Sequence, residues 1–283
     1  MELRDKVSII TGGGSGIGKA IATAFAKEGS HLVLASRTAS ELEATKREIG
    51  NLSAARVEIF PADISQPKQV KGLVDFTLKK FATIDVLVNC AGIYGPIGLA
   101  TDIDSEKWLQ AIHINLYGTF LCIKAALSTM IENGKGKIIN LSGGGATSPF
   151  PRFSAYAASK AAVVGLTGTL AEEVKEYNID INAIAPGAVN TRLLDQVLQA
   201  GEAAGKDFLA KAIKQKKEGG TSPEMTAELA VFLASSQSDG LTGRLISAVW
   251  DNWREFPQHL SEIMSSDIYT LRRIVPEDRG YKF

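Results

Sequence analysis

The sequence predicts an α/β fold, a doubly wound parallel sheet of about seven strands with helices on both faces. Three observations carry that prediction. Short apolar runs rich in β-branched residues alternate with longer helix-like stretches. The runs are nearly continuous rather than alternating, as strands covered on both faces require. Hydrophobic residues make up 45% of the 283, enough for one large core, with no repeat or low-complexity linker to divide it.

Taken in order, KVSIIT (6–11) is the first strand and IGKAIATAFAKEG (17–29) its helix. HLVLAS (31–36) and ASELEATKREIG (39–50) repeat the pattern, followed by ARVEIFPAD (55–63) and PKQVKGLVDFTLKKF (67–81). IDVLVNCAG (84–92) precedes a long candidate helix, residues 106–134. GKIINLS (136–142), the helix SAYAASKAAVVGLTGTLAEEVKEYN (154–178), IDINAIAPG (179–187) and GRLISAVW (243–250) complete the series. Such crossovers are right-handed, and ligands of such sheets sit beyond the carboxyl ends of the strands. Residues 190–222, rich in Gly, Lys and Ala, break the rhythm as an insertion at the substrate side. The expected organisation is one domain over 1–250 and an extension over 251–283 that packs on it or on a neighbouring subunit.

Lys plus Arg and Asp plus Glu both number 31, so nothing in the charge points to nucleic acid. Cys90 and Cys122 have neither disulfide nor metal spacing, and the three histidines suggest no metal site. No apolar run is expected to reach the roughly 18 residues of a membrane span, and no signal peptide is recognisable. The expectation is a cytoplasmic protein without membrane partners.

Thr11–Ala20, TGGGSGIGKA, admits two readings. Gly13 with Gly18-Lys19 approximates the phosphate loop of a nucleoside-triphosphatase, whose lysine is followed by a magnesium-binding hydroxyl. Ala20 stands there instead. Gly12, Gly16 and Gly18 also fit the glycine turn of a dinucleotide-binding unit, with backbone N–H groups and a helix N-terminus holding phosphate. The later motifs decide for the second reading. Thr11-Gly12-x-x-x-Gly16-Ile17-Gly18, Asn89-Cys90-Ala91-Gly92, Tyr156-x-x-x-Lys160 and Pro186-Gly187 occur in order on matching elements. Together, across roughly residues 5–250, they resemble the short-chain dehydrogenases/reductases, a family of Rossmann-type NAD(P)-dependent enzymes.

The second strand ends Ser36-Arg37-Thr38 without the acidic residue that would accept from a ribose 2′-OH. Arg37 can pair with a 2′-phosphate and the two hydroxyls can donate to it, so NADP(H) is favoured, with NAD(H) possible. The resemblance implies that Ser15, Gly16, Ile17 and Gly18 hold the diphosphate, and that Asp63 and Ile64 meet the adenine. It places Asn89, Ala91 and Gly92 along the central cofactor, and Pro186, Gly187, Val189 and Thr191 around the nicotinamide.

Tyr156 and Lys160 lie four apart on one helix face. A free phenol titrates near pH 10, about three units from neutrality, and a neighbouring ammonium can supply much of that difference. Tyr156 is therefore the expected general acid in carbonyl reduction and base in alcohol oxidation. The resemblance gives Lys160 a bond to the nicotinamide ribose and gives Asn115 a water-filled helix kink and a proton relay. It also implies a carbonyl-polarising serine, and Ser142 is the candidate. Ser142 lies fourteen positions before Tyr156; Gly143 occupies the usual separation, so the loop absorbs a residue or Ser148 substitutes.

Phe150, Phe153 and Tyr94 offer apolar substrate surface. Arg152, Lys211, Lys214, Lys216 and Lys217 suit an anionic substrate or a solvated face. Trp250, Trp253 and Phe256 pack or reach over a site. The helices at 106–134 and 154–178, apolar on more than one side, lead to an expected homodimer or homotetramer. The leading expectation is an oxidoreductase acting on a small carbonyl or alcohol. A sugar or sugar-nucleotide dehydrogenase, or a non-catalytic dinucleotide sensor, is the alternative.

Overall fold

The computed structural model describes residues 1–283. Seven parallel strands form one sheet in the order β3-β2-β1-β4-β5-β6-β7. They are β1 (Val7–Thr11), β2 (His31–Ser36), β3 (Val57–Pro61), β4 (Val86–Asn89), β5 (Gly136–Leu141), β6 (Ile179–Ala185) and β7 (Leu245–Ser247). The chain order reverses between β1 and β4, which opens a crevice at their carboxyl ends.

Successive strand residues feed opposite faces. Ile10, Leu34, Val88 and Ile184 join one core with Phe25 of α1 (Gly16–Lys27) and Leu229 of α9 (Pro223–Ala234). Ile9, Val33, Leu87 and Ile181 join the other, with Leu73 of α3 (Pro67–Phe81), Ile123 of α5 (Gly118–Asn133) and Leu170 of α6 (Ser154–Val174). Helix α2 (Ala39–Gly50) covers the first face with Leu42 and Ile49.

The long helix is interrupted at Asn115, where the resemblance implies a kink, and its apolarity exceeds expectation. It is α4 (Ser105–Ile112) and α5 joined by one π-turn, His113–Tyr117. Asn115 causes the widening: its Nδ2 donates to the Ile93 carbonyl at 2.8 Å, and its Oδ1 accepts from the Ile93 N–H at 2.8 Å. The combined Ser105–Asn133 rod, whose most apolar 18-residue stretch has mean hydropathy 1.4, is also long and apolar enough to cross a membrane by length and composition. Its apolarity serves the core, where Cys122, Ile123, Ala126 and Met130 are buried.

The insertion folds as α7 (Arg192–Ala200), a short turn at Gly201–Ala204, and α8 (Lys206–Glu218). Thr191 caps α7 by accepting from the Leu193 N–H at 3.3 Å, and Thr221 N–H donates to the Ala188 carbonyl at 2.9 Å to close the base. The extension packs on its own domain. Trp253, Phe256 and Ile263 enter the first core, the latter two on α10 (Phe256–Met264), and the Tyr269 carbonyl accepts from Leu245 N–H, covering the open edge of β7. Trp250, by contrast, is 77% exposed.

Candidate active site

The site starts where β1 meets β4. Thr11 Oγ1 accepts from the Cys90 N–H at 3.1 Å and the Ala91 N–H at 3.3 Å, tying the two strand ends together. Gly12 has φ +70°, and a Cβ there would press on the Ala91 and Cys90 backbone at 3.0–3.2 Å. A Cβ on Gly18 would overlap the Gly12 carbonyl. Helix α1 begins with no side-chain cap from Ser15 and no acidic residue in its first turn. Its leading N–H groups and positive dipole end are therefore available to an anion. This cradle fits a dinucleotide diphosphate.

Along the adenosine side, β2 ends on Ser36, and Arg37 is exposed without an ion-pair partner, while Ser36 Oγ donates to the Thr38 carbonyl at 3.5 Å. Asp63 Oδ1 accepts from the Ser65 N–H and hydroxyl at 2.9 and 2.7 Å, and Ile64 packs under Gly118. Asn89 does not face the cavity. Its Nδ2 donates to Asn140 Oδ1 at 2.9 Å, joining β4 to β5.

A cavity of about 440 Å³ lies beyond the strand ends. It brings together Ile17, Gly92, Ser142, Tyr156, Lys160, Pro186, Gly187, Val189 and Thr191. Gly187 turns the chain at φ +80°, and the Thr191 methyl lies over Gly16. Tyr156 and Lys160 are 7% and 4% exposed, with Lys160 Nζ 5.7 Å from the Tyr156 ring centre.

The electrostatics differ from the sequence argument. Burial, reinforced by Tyr94 and Cys90, pushes the Tyr156 phenol up, not down. Burial also lowers the Lys160 ammonium to about 8. Lys160 Nζ donates to the Leu141 carbonyl at 2.6 Å. Desolvation thus biases both groups toward neutrality.

Ser142 lines the cavity beside Tyr156 and Lys160. Its Oγ donates to the Lys160 main-chain carbonyl at 3.5 Å and makes no hydrogen bond to Tyr156. The residue facing the phenol is Gly143: a Cβ there would overlap Tyr156 Oη. Thr147 and Ser148 are the other loop hydroxyls on the cavity wall. Asn115 is fully buried and held by Ile93 and Ser159 Oγ, the latter accepting from Nδ2 at 2.9 Å; it makes no bond to Lys160.

The substrate end holds residues the motifs did not reveal: Leu193, Leu194, Val197, Phe208, Gln215 and the nearby Cys90. Their signal was the helical spacing of Leu194 with Val197 and of Phe208 with Ala212. Tyr94 meets the Tyr156 ring edge-on at 4.7 Å, and Phe150 stacks on Phe153 at 4.3 Å.

The fold and the glycine cradle define a class: a Rossmann-type dinucleotide-binding α/β protein. The comparisons narrow it. Residues 6–201 match the family model for short chain dehydrogenases. The chain is 35% identical over 246 residues, 87% of its length and 97% of the relative's, to a 3-oxoacyl-(acyl-carrier-protein) reductase of Thermotoga maritima. It is 34% identical over 241 residues, 85% of its length and 91% of the relative's, to an NAD-dependent glycerol dehydrogenase of Listeria innocua. The crystal structure of levodione reductase superposes with a TM-score of 0.81 at 32% identity, covering 89% of this chain and 98% of that one. The chain belongs to the short-chain dehydrogenase/reductase family, and thus to the NAD(P)-dependent oxidoreductases that interconvert carbonyls and alcohols.

Two outcomes follow from the geometry. Gly143→Ala should displace the Tyr156 hydroxyl and lower kcat about a hundred-fold while the melting temperature stays near wild type. Unchanged turnover would show that the phenol does not need this seat. Lys160 gives a pH signature. Its value falls from 10.5 unfolded to about 8 folded, so the folded chain binds fewer protons between those limits and stability rises with pH across them. Between about pH 7 and about pH 10, urea unfolding should show wild type gaining on the order of 2 kcal/mol relative to Lys160→Met. A constant difference would mean that Nζ is solvated.

Proposed function

We propose that this chain is an NADP(H)-preferring oxidoreductase that interconverts a small carbonyl compound and a secondary alcohol, with Tyr156 as general acid and base. The observation carrying this reading is the shared cavity: the Tyr156–Lys160 face of α6 lines the same space as Ile17 of the glycine cradle and the Pro186–Thr191 turn.

The nicotinamide supplies or accepts the hydride when bound. Tyr156 Oη holds the proton: its burial favours the neutral phenol, the form required to protonate a carbonyl oxygen during reduction. Lys160, near its titration point, supplies positive charge beside the phenol and a route for proton exchange. The Pro186–Thr191 turn orients the nicotinamide carboxamide, and the uncapped α1 terminus holds the diphosphate. The carbonyl-polarising role falls to Ser142, with Ser148 as the alternative hydroxyl on the same cavity wall.

Arg37 supports the NADP(H) preference, because the end of β2 offers a free cation and no carboxylate. Exposed Leu109, Tyr117, Phe120 and Ile131 on and between α4 and α5 support self-association as a dimer or tetramer. Two free cysteines suit a reducing, cytoplasmic setting.

The test is NADPH oxidation with a panel of ketones and aldehydes. Tyr156→Phe should lose about a hundred- to ten-thousand-fold in kcat while still binding NADPH. Equal activity in wild type and variant would remove Tyr156 from the chemistry, and cofactor binding without any turnover would favour a sensor. Arg37→Asp should lower the NADPH-over-NADH preference by at least about ten-fold. An unaltered ratio refutes the cofactor assignment.

A further inference from the structure

We infer that the substrate carries an apolar body and one anionic head, carboxylate or phosphate, and that Lys211 holds the head. This rests on the oxidoreductase reading of the same cavity and names its substrate class.

The cavity wall includes two cations, Lys160 and Lys211, and no Asp or Glu. Lys160 is deep, buried and bonded to the Leu141 carbonyl, so it belongs to the catalytic end. Lys211, on α8, is an exposed residue of the cavity wall and makes neither an ion pair nor a hydrogen bond.

The remaining basic groups near the insertion are engaged elsewhere or lie off the wall. Lys214 pairs with Glu218 at 3.7 Å and Lys216 with Asp195 at 2.8 Å. Arg152 Nη1 donates to the Ala203 carbonyl at 3.3 Å, clasping the loop to the insertion. Lys206 and Lys217 do not line the cavity. The basic face read from sequence thus resolves into one free cation at the site.

The main chain at Lys211 is fixed while its side chain is exposed. The next residue, Ala212, is buried with Leu194, Val197, Phe153 and Tyr156. The backbone that carries Lys211 is therefore anchored to the cluster that seats the phenol. Between the two lysines the wall is apolar, with Phe150 and Phe208 meeting edge-on at 5.1 Å.

A cleft lined by one sign of charge, with low-dielectric walls, concentrates the opposite charge and disfavours its own. An ammonium on a flexible stem acts as a point charge and takes either carboxylate or phosphate. The geometry selects a molecule whose body lies on Leu194, Val197 and Phe208 while its head meets Lys211.

The experiment measures binding without turnover. Calorimetry on the NADPH-saturated protein uses three phenylalkyl ligands of matched length: a carboxylate, a phosphate monoester and a neutral primary amide. At least one anion should bind about ten-fold tighter than the amide. Lys211→Met should abolish that preference, and Lys217→Met, on the same helix but off the wall, should retain it. Whichever anion binds tighter identifies the head group. An amide that matches both anions, a preference surviving Lys211→Met, or equal loss in both variants would overturn the proposal. Failure of the oxidoreductase reading is separate: matched keto-compounds would then show no turnover while the Lys211-dependent preference persists.

Discussion

The architecture of the site depends on the close approach of β1 and β4 at their carboxyl ends. Thr11 supplies the bond that holds them, and Gly12 removes the side chain that would keep them apart. Strand order reverses at this junction, so the following segments diverge and leave the crevice that a ligand enters. Gly18 lets α1 start directly against the turn, with its dipole aimed into the crevice. Pairing in register across β4, β5 and β6 then sets the ends of those strands beside the same opening. The glycine turn, the Gly92 corner, the Gly143 loop and the Pro186 turn meet as a consequence of one strand junction.

Desolvation dominates the chemistry of that opening. A bare Tyr-x-x-x-Lys pair suggests an ammonium pulling a phenol toward ionisation. In the folded chain the two groups share a dry wall, with Lys160 committed to a main-chain carbonyl and Tyr156 surrounded by Tyr94, Phe150 and Phe153. Burial raises the cost of charging either group. In the proposed reaction the neutral phenol is the form that donates the proton.

Much of this was legible in the sequence. Strand positions followed from continuous apolar runs, because burial on both faces leaves no alternation. The motifs gave the cavity's catalytic end because its backbone constraints demand glycine and proline at fixed positions. Other features depended on geometry that spacing does not encode. The π-turn at Asn115 arises from a contact with Ile93, distant in sequence. Ser142 and Gly143 are neighbours on one strand end, so a one-residue step decides which faces the phenol. The substrate wall came from α7 and α8, whose apolar positions looked like ordinary amphipathic spacing until folded over the cavity.

That wall has an energetic link to Tyr156. The phenol ring, Phe153, Leu194, Val197, Ala204 and Ala212 form one buried cluster separate from both sheet cores. Gly201 and Gly219, at φ +57° and +96°, stand in open space at the two ends of the turn-plus-α8 segment, so the backbone can pivot there at little steric cost, while Gly205 between them lies against Arg152. The cluster opposes that pivot. Exposing a buried Leu or Val costs about 1.5–3 kcal/mol, and Leu194 and Val197 would be uncovered together with the face of the Tyr156 ring. The insertion and the phenol therefore share one equilibrium. Phe153, Leu194, Val197 and the Tyr156 ring are thus held by one set of apolar contacts.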